Sequence, residues 1–124
     1  MRAFDQAVQE NLECRLVTHV ERTFPGEFAK LGKRAVEQRV RAALDRAKGR
    51  KLVEDYDLCR FVDLTFLLGE GFEADERFPW AARTLDDDGL TAAAKMDRLC
   101  RLAGENLGNA RLPQAMIKRN KTLE

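Results

Sequence analysis

Phe4, Val8, Leu12, Leu16 and Val20 recur every fourth residue, with charged and polar residues between them. That spacing places five apolar side chains along one stripe of an α-helix running from Ala3 to Thr23. Pro25 disfavours helical geometry at Phe24 and Gly26 permits a turn, so the helix is expected to stop there, although Pro25 equally suits the first position of a following helix.

The same three-and-four spacing returns twice. Phe28, Leu31, Ala35, Val36, Val40, Ala43, Leu44 and Ala47 predict a second helix from Glu27 to Lys48, stopped by Gly49. Its outer face carries Lys30, Lys33, Arg34, Arg39, Arg41, Arg46 and Lys48. A third helix is expected from Asp55 to Leu68. Its apolar residues, Leu58, Phe61, Val62, Leu64 and Phe66 to Leu68, cover more than one stripe, which predicts a central helix packed on several sides.

Between Gly69 and Trp80 the periodicity lapses into glycine, acids and aromatics, the pattern of an ordered loop. Phe72, Phe78 and Trp80 are expected to anchor that loop to the core, at about 1.5–3 kcal/mol per buried side chain. Pro79 suits the first turn of a short helix ending at Leu85. Thr91 can cap a last helix through Leu107, with Met96, Leu99, Leu102 and Ala103 inward. The fold class is therefore all-α, a single-domain bundle of four to five helices over residues 1–108, followed by a basic, loosely held tail over residues 109–124.

Length and composition agree with one folded, soluble domain: 124 residues suffice for one core, and 44% hydrophobic with 35% charged residues is too apolar for a disordered chain. The richest apolar run, Phe61 to Leu68, is interrupted by Asp63 and too short to span a membrane. The first residues include Asp5 and Glu10 and lack a signal-peptide core, so a cytoplasmic location is expected. Cys14, Cys59 and Cys100 lie far apart with no CxxC pair, which predicts partly buried thiols on helices, no disulfide scaffold and no metal site.

Charge is strongly segregated. Residues 15–51 hold eleven Lys or Arg against four acids, whereas residues 54–88 hold eleven acids against three Arg. Such a chain either steers a charged partner or pairs the two segments internally. Nucleic acid is not the expected partner, because no aromatic residues interleave with the basic run and the acidic segment would repel phosphate. The charged side chains expected to bind a protein partner are Lys30, Lys33, Arg34 and Arg41 on the basic helix and Glu73, Asp75 and Glu76 in the loop.

No pattern of residues predicts catalysis or a cofactor. Asp86-Asp87-Asp88-Gly89 fails as a calcium loop, because Thr84 and Lys95 stand where acids are required; its carboxylates suit a helix end. A glycosidase-like pair among Glu70, Glu73, Asp75 and Glu76 is a chance match in an acidic loop. His19 follows Cys14 by five residues, off its face, which predicts a surface histidine and no local Cys-His pair. An active site would need an unusual set drawn from His19, Asp63, Glu70 and Asp75.

The stretch from Phe61 to Leu85, FVDLTFLLGEGFEADERFPWAARTL, resembles a motif of small helical proteins associated with bacterial type VI secretion spike and effector gene clusters. Those proteins show an apolar helix, a glycine, residues like Phe-Asp-x-Asp, and Pro-Trp-Ala. Here Gly71-Phe72 and Pro79-Trp80-Ala81 carry the likeness, and Glu73 and Asp75 stand where paired aspartates are expected. The resemblance implies a non-catalytic adaptor or co-chaperone that binds an effector, an effector chaperone or a spike component. An immunity protein that neutralises a toxin encoded nearby is the alternative.

Overall fold

The computed structural model describes the backbone of residues 2–107 and the side chains of residues 11–107. The tail expected over residues 109–124 lies outside them. Among the described residues there are six α-helices and no strand: α1 (Arg2–Thr23), α2 (Pro25–Leu31), α3 (Lys33–Gly49), α4 (Asp55–Leu67), α5 (Pro79–Leu85) and α6 (Ala92–Leu107). A single 3₁₀ turn, Phe72–Ala74, interrupts the loop between α4 and α5.

α4 is the hub. It packs against α1, α3 and α6, and α5 joins α6 to the 3₁₀ turn. Leu58, Phe61, Val62, Leu64 and Phe66 are buried on it, as the multiple apolar stripes predict. Leu12, Leu16 and Val20 bring the stripe of α1 into the same core, with Val36, Val40, Ala43, Leu44 and Ala47 from α3 and Met96, Leu99 and Ala103 from α6. Thr91 caps α6, its hydroxyl accepting a hydrogen bond from the Ala94 amide at 3.1 Å.

The helix expected over residues 27–48 is two helices. Gly32 has φ 87° and ψ 156°, a backbone conformation open essentially to glycine alone, and the chain turns there between α2 and α3. Pro25 opens α2 as Pro79 opens α5. This break accounts for the sixth helix.

The loop after α4 folds back as its aromatic residues predict. Phe72 is buried with its ring 5.2 Å from that of Phe61. Phe78 and Trp80 are half-buried against the core and meet edge to face at 5.7 Å. Gly71, at φ 80°, supplies the left-handed residue that starts the 3₁₀ turn.

The segregated charges zip the molecule together. Arg39 approaches Glu70 at 3.7 Å, Arg46 pairs with Glu73, and Arg50 meets Asp86 at 2.6 Å. The cations of α3 and its end are thereby matched to the acids that follow α4. Arg39 also donates to the Thr65 carbonyl at 2.6 Å and lies over the Phe66 ring.

Candidate functional site

α4 buries polar residues that a purely apolar hub would exclude: Asp57, Arg60, Asp63 and Thr65. Thr65 returns its hydroxyl to the Val62 carbonyl within the helix. Arg60 is held by Asp57 at 2.6 Å and by Asp97 of α6 at 2.7 Å, with its guanidinium over the Tyr56 ring. Burial alone would lower the Arg60 pKa, but the two carboxylates outweigh it and raise it. This network ties α4 to α6 and leaves its cation inaccessible.

Asp63 faces the other way, toward α1. His19 Nε2 donates to Asp63 Oδ1 at 2.7 Å, and the Thr23 hydroxyl lies 3.4 Å from Nδ1. Cys59, one turn before Asp63 on α4, completes the cluster: one donor atom from each of His19, Cys59 and Asp63 lies within 4.8 Å of the others. Asp63 is closed to solvent, and its second oxygen, Oδ2, has no hydrogen-bond partner among the described residues. His19 and Cys59 also line a shallow cleft of about 230 Å³ between α1 and α4, beside Arg15 and Tyr56.

The expectation of a surface histidine is therefore corrected. The His19 side chain is 25% exposed, because the turn of α1 that carries Leu16 and Val20 inward also swings His19 against α4. The Asp63 hydrogen bond, then that of Cys59, raise its pKa to about 10 against the opposing effect of burial, so the ring is cationic at neutral pH. Burial raises Asp63 above the ordinary carboxylate range, and His19 draws it only part of the way back. The cysteines differ from the shared half-burial expected of them: Cys14 is exposed, Cys59 half-buried and Cys100 buried. Burial pushes the Cys100 thiol up to about 12, which makes it a poor nucleophile.

A second feature lies on the opposite flank of α1. Cys14 and Val17 on α1, Phe28 on α2, and Lys33, Glu37 and Arg41 on α3 line a groove of about 450 Å³. Lys33, Glu37 and Arg41 are spaced four apart and form one wall. Val17 and Phe28 give it apolar surface, and Arg41 is held across it by Glu13 at 3.4 Å.

The residues expected to bind a partner thus fall into two sets. Lys30, Lys33 and Arg34 are exposed around the Gly32 break, with no ion pair among the described residues, and Arg41 lies two turns along α3. In the loop, Glu73 is buried against Arg46, Asp75 is occupied by Arg77 at 2.9 Å, and Glu76 is exposed. The Arg77 side-chain and backbone hydrogen bonds hold Asp75 below the ordinary carboxylate range. Glu73 is therefore not presented at the surface, while Lys33 and Arg41 border the groove.

Sequence reasoning singled out His19 and Asp63 separately and passed over Cys59 as their neighbour. The usable signal was the four-residue spacing of Cys59 and Asp63, which puts a thiol and a carboxylate on one face of a helix. Comparison with protein-family models, with curated proteins and with solved structures gives no match, so the meaning of both features rests on their own residues.

Proposed function

We propose that this chain is a non-catalytic protein-binding accessory protein, an adaptor or co-chaperone for a type VI secretion effector, and that it binds through the α1–α2–α3 groove. The observation that carries the binding reading is the trio Lys30, Lys33 and Arg34. Most arginines of the basic segment are spent on internal ion pairs, whereas these three stand exposed around the Gly32 break, and Lys33 among them lines the groove with Val17, Phe28 and the carboxylates of Glu13, Glu21 and Glu37. An apolar side chain of the partner fits that lining, and carboxylates flanking it meet the three cations, which favours fast, salt-sensitive association. The effector context is supported by the likeness of residues 61–85 to proteins of secretion clusters, in which Phe72, Phe78 and Trp80 do structural work.

The test is affinity capture from the native cells, followed by rebinding of the captured protein in purified form. The expected result is a secretion component or effector whose association is slower with a Lys33→Glu/Arg34→Glu variant and loses part of its salt dependence. Recovery of neither, or rebinding indifferent to the double substitution, overturns the proposal. Capture of a toxin, with expression rescuing cells from it, establishes the immunity role instead.

A further inference from the structure

We propose that His19, Cys59 and Asp63 form a binding site for a zinc ion between α1 and α4. The three side chains bring one imidazole, one thiol and one carboxylate to a single point, with donor atoms within 4.8 Å of one another. They come from two helices held in the core, α1 through Leu16 and Val20 and α4 through Leu58 and Val62. The backbone positions are thus set before any ion arrives.

The hydrogen bonding of Asp63 adds a second observation. Asp63 is wholly buried, and while Oδ1 accepts from His19, Oδ2 has no hydrogen-bond partner among the described residues. Glu73 Oε1 is likewise buried without a partner, but Asp63 is the one of the two whose carboxylate lies beside a thiol and an imidazole, where an ion shared by all three would satisfy it. The shallow cleft lined by His19 and Cys59 provides the route from solvent.

The donor set chooses the metal. Magnesium and calcium take oxygen ligands, whereas nitrogen and thiolate donors with one carboxylate suit zinc. Tetrahedral zinc, with bonds of about 2.0–2.3 Å, separates its ligand atoms by about 3.3–3.8 Å. His19 and Asp63, now 2.7 Å apart, must open slightly while Cys59 closes in, movements that side-chain rotation supplies. Binding forms bonds to Nε2, Sγ and the carboxylate, and releases one proton from Nε2 and one from Sγ. Three protein ligands would leave a fourth position to water. The ion would clamp α1 to α4.

Cobalt(II) is the spectroscopic probe, added to the reduced full-length chain without oxygen. The expected result is a near-ultraviolet thiolate-to-cobalt band and visible d–d absorption, saturating at one equivalent and bleached by zinc. Cys59→Ser should abolish the near-ultraviolet band, Cys14→Ser should leave it, and Asp63→Asn should weaken cobalt binding by about tenfold or more. Because substitutions on α4 can unfold the chain, the unaltered protein supplies a second readout. Zinc should slow alkylation of Cys59 by iodoacetamide, followed by mass spectrometry, and leave alkylation of exposed Cys14 unchanged. Absence of a saturable cobalt spectrum, a thiolate band that persists in folded Cys59→Ser, or equal alkylation of Cys59 with and without zinc overturns the proposal.

Discussion

Arg60 and Asp63 lie one turn apart on α4, both closed to solvent, and their surroundings settle them differently. Each Nη of Arg60 has its own carboxylate, Asp57 or Asp97. Arg60→Met keeps the volume but strips buried Asp57 of its cation, and should cost about 3–5 kcal/mol, read as a lower urea midpoint. Asp63 is instead matched on one oxygen only, by His19. In metal-free protein the raised His19 pKa gives a signed expectation. A histidine that titrates near 6.5 unfolded and about 10 folded contributes stability that is whole below about pH 6.5 and is lost as the pH climbs toward 10. With chelator present, the melting temperature of the wild type should exceed that of His19→Gln most at pH 6, and the gap should shrink by pH 10. A constant gap would show that the ion pair does not carry the difference. At this scale the sequence was half legible. Asp63 stood out as a charge in an apolar run, but its partner is 44 residues away, and no local spacing joins residues on separate helices.

The elements themselves were legible wherever burial follows a stripe: Leu12, Leu16 and Val20 of α1, Val36, Val40, Ala43, Leu44 and Ala47 of α3, and Met96, Leu99 and Ala103 of α6 are buried as expected, whereas Ala35 and Leu102, expected inward, lie at the edge of the core and are only partly buried. The break at Gly32 was not, for a physical reason. Phe28 and Leu31 before it and Ala35 and Val36 after it keep the three-and-four spacing in phase, so the periodicity runs across the turn without a sign of it. Only the glycine marks the place, and an isolated glycine in a helical pattern is ambiguous. Its conformation makes a sharp test. A Cβ at Gly32 meets nothing within 4 Å, so any penalty of Gly32→Ala comes from the backbone at φ 87° rather than from crowding. The substitution should cost about 1–3 kcal/mol in denaturant unfolding with no change in the slope. Gly26→Ala, within α2 and equally uncrowded, should be neutral or mildly stabilising. Equal effects at the two glycines would mean that the break is not a strained conformation reserved for glycine.

Across the whole molecule, the segregation of charge was plain in the sequence, but its use was not. The same pattern fits a surface waiting for a charged partner and a zipper closed on itself. The structure divides it: Arg39, Arg46 and Arg50 hold the acidic segment to α3, while Lys30, Lys33 and Arg34 stay outside that row. The links of the zipper are unequal because solvent reaches them unequally. The Glu73 side chain is 6% exposed beside Arg46, whereas that of Asp86 is 68% exposed beside Arg50. Water screens the outer pair, and its coupling in a double-mutant cycle should fall below about 1 kcal/mol. The inner pair is different in kind. Arg46→Met leaves the buried Glu73 carboxylate without its cation, and should be far more damaging than Glu73→Gln, which removes the buried charge itself. Combining Arg46→Met with Glu73→Gln should recover much of the loss, with a coupling of about 1–3 kcal/mol. Since Glu73 sits in the 3₁₀ turn next to Phe72, the single Arg46 variant should also loosen the loop, seen as faster amide exchange over residues 70–78 and as altered Trp80 fluorescence. If Arg46→Met and Arg50→Met cost the same, and neither disturbs Trp80, the ion pairs decorate the loop and its aromatic residues alone hold it.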